Sequence, residues 1–209
     1  MSATIHIVDD DGSFRSSVGR ALKASGFRVA AYASGEEILA AAYLDEPGCI
    51  LLDLKMPGIG GLELQQRLAD KAPLLPVLFL TGQGNIEAAV EAMKSGADDF
   101  IEKVAPGQRL LEAVRRALAR YDARRQERDR ILSLKSLVTT LTVRESKVFN
   151  LIVRGKRNKQ IAYELGTSER TVKAHRQKIM EKLRVRSLAE AVSIANQLGF
   201  VEGSSTEPK

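Results

Sequence analysis

The stretch "CILLDLKMPG", Cys49–Gly58, decides the fold. Four apolar or thiol residues run without a break into Asp53, and a Met-Pro-Gly turn signal follows. An apolar run this short, closed by turn residues, predicts a strand buried on both faces. Such strands belong to parallel sheets covered by helices. A carboxylate at the carboxyl end of one stands at the rim, where open α/β sheets place their chemistry.

The flanking sequence alternates in the same style. "TIHIVDD", "FRVAAYA", "GCILLD", "LPVLFLTG" and "DFIEK" read as strands. Between them "SFRSSVGRALKASG", "GEEILAAAYLD", "GLELQQRLADKA" and "NIEAAVEAMKSGA" read as helices. Strands alternating with helices of this length imply right-handed βαβ units. Five units predict an α/β doubly wound parallel five-stranded sheet, flavodoxin-like, of order 2-1-3-4-5.

From Gln108 the pattern changes. "QRLLEAVRRALARYDARRQERDRILSLKSLV" has neither Gly nor Pro and is rich in helix formers. Its apolar stripe, Leu111, Val114, Leu118 and Tyr121, continues as Arg125 and Arg128 before Leu132. The early part suits the fifth helix of the sheet domain and the later part a charged helical linker, with no strong coiled-coil seam. Beyond it lie four short helices, in "RESKVFNLIVRG", "NKQIAYELG", "SERTVKAHRQKIMEKL" and "SLAEAVSIANQLG". The predicted organisation is a domain over 1–120, a helical linker over 121–138, an all-α four-helix domain over 139–200 and a flexible tail over 201–209.

Charge separates the halves. Residues 1–103 hold 9 Lys and Arg against 15 Asp and Glu, whereas residues 104–209 hold 23 against 11. The basic half is a candidate for nucleic acid. The single cysteine, Cys49, cannot pair within the chain and fits a reducing compartment. With neither a signal-peptide pattern nor an apolar run of about 18 residues, a cytoplasmic protein with no membrane partner is expected.

In the 2-1-3-4-5 order the first and third strands are neighbours. Asp9 and Asp10 at the end of one then converge with Asp53 at the end of the other. Crowded carboxylates repel unless a cation is present, and oxygen-only ligands favour Mg²⁺ or another divalent cation. Thr81 ends the fourth strand and Lys103 the fifth, completing a pocket for a dianionic group. Metal, cation, hydroxyl and a nucleophilic carboxylate at Asp53 are the machinery of phosphoryl transfer.

Together "IVDDD", "LLDLKMPG", "FLTG" and "DFIEK" resemble a response-regulator receiver domain over residues 3–120. The resemblance implies Asp53 as phosphoacceptor, Asp10 as direct metal ligand and Asp9 as a ligand through water. It adds the backbone carbonyl of Lys55 to the metal ligands. It also implies that Thr81 and Lys103 contact the phosphoryl group and that Phe100 is the switch aromatic; ordinary core packing is the other reading of Phe100. One departure stands out: the family usually has Pro after the strand-5 lysine, often with a cis bond, and this chain has Val104. A trans Lys103–Val104 bond and a less rigidly held Lys103 are expected.

At the basic end, a short helix, a turn at Gly166 and a helix capped by Ser168 have helix-turn-helix spacing. On the second helix Val172, Ile179 and Leu183 turn inward, while Arg170, Lys173, Ala174, Gln177 and Lys178 turn outward, toward base edges if placed in a major groove. Lys156, Arg157, Lys159, Arg176 and Lys182 suit phosphates. "LTxRE", "NKxIAxxLG" and "TVKxHxxxIxxKL" resemble the LuxR/FixJ-type DNA-binding domain over residues 139–200. By that resemblance Lys173, Ala174 and Gln177 face bases, and Thr171, Arg176 and Lys178 lie near the DNA backbone. His175 is read as packing and Glu145 as one partner of a salt bridge inside the domain.

The combined expectation is a two-component response regulator and transcription factor, not an enzyme. A sensor histidine kinase phosphorylates Asp53, and homodimer formation or domain release promotes binding to double-stranded promoter DNA. RNA polymerase is a further candidate partner. The alternatives are an aspartate-nucleophile phosphatase, disfavoured because Lys55 stands where a second acid is needed, and a phosphorylation-independent DNA-binding regulator.

Overall fold

The computed structural model describes residues 3–41, 44, 46–82 and 86–200. The proposed tail over 201–209 lies outside them. The chain divides into two compact units after Gln126.

In the first unit, strands β1 (Thr4–Val8), β2 (Arg28–Tyr32), β3 (Gly48–Asp53), β4 (Val77–Thr81) and β5 (Asp99–Glu102) form one sheet. Its order is β2-β1-β3-β4-β5, with every pairing parallel. The helices are α1 (Gly12–Ala24), α2 (Gly35–Leu39), α3 (Gly61–Lys71), α4 (Ile86–Lys94) and the start of α5 (Gly107–Thr139).

Alternation along the strands builds a core on each face of the sheet. Val8, Ile50, Leu52 and Phe79 pack with Ile38, Leu64, Leu68 and Ala92 on one side. Ile5, Ile7, Leu51, Leu78 and Leu80 pack with Leu22, Ala113, Val114 and Ala117 on the other. Each of the Val, Leu, Ile and Phe side chains contributes roughly 1.5–3 kcal/mol by leaving water. Cys49 is wholly buried, and burial pushes its thiol up to about 12; it is a core residue.

One expectation needs correction. The pattern "GEEILAAAYLD" predicts a helix to Asp45, but α2 ends at Leu39. The Lys71 ammonium on α3 donates to the Leu39 carbonyl, satisfying an end that the helix would otherwise have to continue. Ala42, Tyr43 and Asp45 of that stretch, and Asn85 ahead of α4, fall outside the described residues.

A buried acid fastens α5. Asp98, just before β5, accepts the Val77 N–H at 3.1 Å. It meets the Arg124 guanidinium at 2.8 Å, and Arg120 also reaches it. Such a charge is tolerated inside only because it is paired on several sides.

The second unit contains the end of α5 with α6 (Val143–Val153), α7 (Asn158–Glu164), α8 (Glu169–Leu183) and α9 (Leu188–Gln197). Phe149, Ile161, Val172, Ile179, Leu183 and Ala195 form its core. Thr142 and Glu145 close a reciprocal capping box on α6. No helix among the described residues is long and apolar enough to cross a membrane.

Candidate functional site

Two features dictated by local sequence place the first site. Parallel pairing of β1 with both β2 and β3 makes β1–β3 the point where strand order reverses, the usual crevice in such sheets. Turn residues then end each strand as its polar residue reaches the rim.

There the structure brings the predicted residues together. Asp9, Asp10 and Asp53 each offer an oxygen within 4.8 Å of the others. Asp9 and Asp53 are buried and Asp10 is exposed. The Lys103 ammonium stands 2.7 Å from Asp9 Oδ2 and 3.0 Å from Asp53 Oδ2. Asp53, Lys55, Thr81, Gly82 and Lys103 line a cleft of about 320 Å³ open to solvent. Thr81 is buried at its margin, and the exposed Lys55 donates its backbone N–H toward Asp53 Oδ1 at 3.4 Å.

Electrostatics follow from burial. Desolvation raises the Asp9 carboxyl above the usual carboxylate range, the neighbouring Asp53 charge adds to the rise, and hydrogen bonds from Lys103 and the Asp11 N–H only partly offset it. Desolvation also acts on Lys103, pulling it down, but its bonds to Asp9 and Asp53 outweigh that and its pKa is raised. A buried acid destabilised by its own charge, beside two more carboxylates, is a donor set that a hard divalent cation would satisfy. The cluster could therefore bind one.

Phe100 is half-buried and packs on Phe79, its register partner, with ring centroids 6.5 Å apart. The Lys103–Val104 bond is trans, since no described peptide is cis. Lys103 is nonetheless held firmly, contrary to expectation: besides its two carboxylates, its ammonium lies 4.7 Å from the centre of the Phe14 ring. The sequence reading did not single out Phe14. Its position four residues after Asp10, on the first turn of α1, was the available signal.

In the second unit, Gly166 adopts φ 60° between α7 and α8, and the Ser168 hydroxyl accepts the Thr171 N–H at 3.1 Å. Val172, Ile179 and Leu183 are buried, while Arg170, Thr171, Lys173, Ala174, Gln177 and Lys178 are exposed along α8. Lys159 is exposed on α7. Arg176 is half-buried and donates to Asn158 Oδ1 at 2.8 Å, tying α8 to the start of α7. His175 is half-buried with its Nδ1 enclosed, in keeping with packing.

Lys182 departs from its expected phosphate-facing place. It pairs with Glu145 at 2.6 Å and donates to the Thr140 carbonyl at 3.0 Å. A buried carboxylate requires that neutralisation, so the Lys182 ammonium is committed to Glu145. Glu145 thus forms the expected internal salt bridge, which with the Thr142 N–H holds its carboxyl down at about 2.

Comparison with known proteins agrees with this geometry. Residues 5–115 match the response regulator receiver domain, and residues 139–195 match the bacterial regulatory proteins of the luxR family. Nodulation protein W of Bradyrhizobium diazoefficiens is 40% identical over 198 residues, covering 95% of this chain and 87% of that protein. Transcriptional regulatory protein FixJ of Rhizobium meliloti is 39% identical, covering 94% and 97%. Among solved structures, the response regulator StyR matches with a TM-score of 0.77 at 41% identity, covering 94% of this chain and all of that one. The chain belongs to the response regulators, with a receiver domain followed by a LuxR-type DNA-binding domain, and is a homologue of the FixJ and TodT transcription regulators.

Proposed function

We propose that Asp53 accepts a phosphoryl group from a sensor histidine kinase and that this modification controls promoter binding through α8. The observation that carries the proposal is the meeting of Asp9, Asp10 and Asp53 at one rim with the Lys103 ammonium between two of them. Asp53 Oδ attacks phosphorus in line while the bond to the donor's leaving nitrogen breaks, and the nitrogen departs with the bonding pair. Lys103 and the Thr81 hydroxyl donate to the phosphoryl oxygens, where charge gathers. Mg²⁺, held by Asp10 and Asp53, by Asp9 through water and by the Lys55 carbonyl, would neutralise phosphoryl charge when bound.

Phosphorylation of Asp53 turns one carboxylate partner of Lys103 into an acyl phosphate and offers Thr81 a new acceptor. Phe100, packed on β4 next to that strand's end, follows Thr81 and shifts a pre-existing equilibrium. Homodimer formation then presents two α8 helices to half-sites one turn apart. Arg170, Lys173, Ala174 and Gln177 face bases, while Lys159, Thr171, Arg176 and Lys178 position the helix on the backbone. The FixJ relatives are transcriptional regulatory proteins, which supports a regulator of transcription, one that would act in the cytoplasm.

The test is Asp53→Asn. The variant is expected to lose labelling by a small phosphodonor in the presence of Mg²⁺ and to bind promoter DNA no better after treatment. Undiminished labelling would overturn the assignment.

A further inference from the structure

We infer that Phe14 is a positioning residue for phosphoryl uptake: its ring is the seat that holds the Lys103 ammonium over the reacting carboxylate. The inference rests on the reading of Asp53 as phosphoacceptor.

Four contacts form a closed circuit. Asp9 Oδ1 accepts the Asp11 N–H at 3.0 Å. The Asp11 carboxylate caps α1 by accepting the N–H groups of Ser13 at 2.8 Å and Phe14 at 3.2 Å. Phe14 presents its ring to Lys103 Nζ, 4.7 Å from the ring centre. Lys103 Nζ returns to Asp9 Oδ2 at 2.7 Å and reaches Asp53 at 3.0 Å. The helix cap therefore fixes the backbone that carries the ring, and the ring stands against the ammonium.

The chain after Lys103 offers little help. Val104 is 80% exposed and packs against nothing that would stiffen the turn. The backbone is anchored by the Lys103 N–H on the Thr81 carbonyl at 2.7 Å, but four rotatable side-chain bonds separate that anchor from the ammonium. An aromatic face attracts the cation and replaces water on one side of it. Its charge then acts on oxygens through a less polarisable medium. When phosphoryl oxygens arrive, Lys103 can exchange carboxylate for phosphoryl partners without leaving the ring.

Simple core packing accounts less well for the ring. Phe14 touches the α1–α5 core, yet a cavity of about 150 Å³ lies beside it, lined also by Val18, Leu80, Ile101 and Leu110. Packing thus leaves free space beside the ring, a space that Lys103 also borders.

The experiment compares the full-length wild type, Phe14→Leu, Phe14→Tyr and Asp53→Asn, labelled by acetyl phosphate with Mg²⁺. Phe14→Leu is expected to slow labelling about five- to tenfold, and Phe14→Tyr, which keeps the π face, to restore it. The NMR signal of the Lys103 ε-methylene protons provides a second readout, shifted upfield by the ring in wild type and Phe14→Tyr and released in Phe14→Leu. Labelling of Phe14→Leu at the wild-type rate overturns the inference. So does a slow Phe14→Leu that Phe14→Tyr fails to restore, because the side chain then acts by packing alone. Full labelling of Asp53→Asn instead overturns the phosphoacceptor reading, and the methylene signal alone then decides whether Phe14 seats Lys103.

Discussion

The Glu145 carboxylate accepts the Lys182 ammonium at 2.6 Å and, with the same oxygen, the Thr142 N–H at 2.8 Å. One acid thus joins the last turn of α8 to the first of α6. Its folded pKa, about 2, lies below the ordinary 4.5. The stabilisation is therefore fully present above about pH 4.5 and is lost as pH falls toward 2. Lys182 is one-third exposed, which discounts the value to about 2 kcal/mol. Glu145→Gln should lower hydrogen-exchange protection of α6 amides by that amount at neutral pH. At pH 2 it should match the wild type.

Gly61 opens α3 directly behind β3. A Cβ there would stand 2.3 Å from the Asp53 carbonyl oxygen and 3.0 Å from the Phe79 ring. Gly61→Ala must displace the β3–α3 loop, at a cost of about 1–3 kcal/mol. Urea denaturation should show that loss, and labelling of the still-folded protein should fall as well, because the shift moves Asp53 itself.

Three carboxylates that could share one divalent ion would make its affinity depend on each. Asp10 is the exposed member, so its removal leaves the buried pair intact. Asp10→Asn should weaken Mg²⁺ binding at least about tenfold, measured by calorimetric titration. Chelation of divalent ions should abolish labelling of the wild type, and added Mg²⁺ should restore it.

In the proposed function, exposed residues of the second unit would divide by task. Lys159→Ala should weaken binding to all DNA sequences alike and reduce the slope of log affinity against log salt by about 1. Gln177→Ala should cost about 1–3 kcal/mol on the preferred site only, relaxing discrimination at one base pair. Binding titrations on specific and scrambled duplexes at several salt concentrations separate the two.

What the sequence made legible was whatever local pattern controls. The strand ends at Asp9, Asp53, Thr81 and Lys103 could be placed because short apolar runs stop at turn residues. The inward and outward faces of α8 followed from helical periodicity. Which distant side chains pair beyond those strand ends escaped it. Lys71 ending α2, Arg120 and Arg124 on Asp98, the Phe14 ring over Lys103, and Lys182 on Glu145, 37 residues away, are all set by tertiary packing. A surface-type residue such as Lys182 looks the same in sequence whether it faces solvent or a buried acid.

The spacing of the site residues along the chain has a bearing on when the site can exist. Asp9, Asp53 and Lys103 come from three strands and are separated by roughly fifty residues each, so no fragment emerging early in synthesis contains a working trio. Only a chain whose central strands have already registered can assemble them. Under the proposed function, competence to accept the phosphoryl group is thereby tied to formation of the whole sheet.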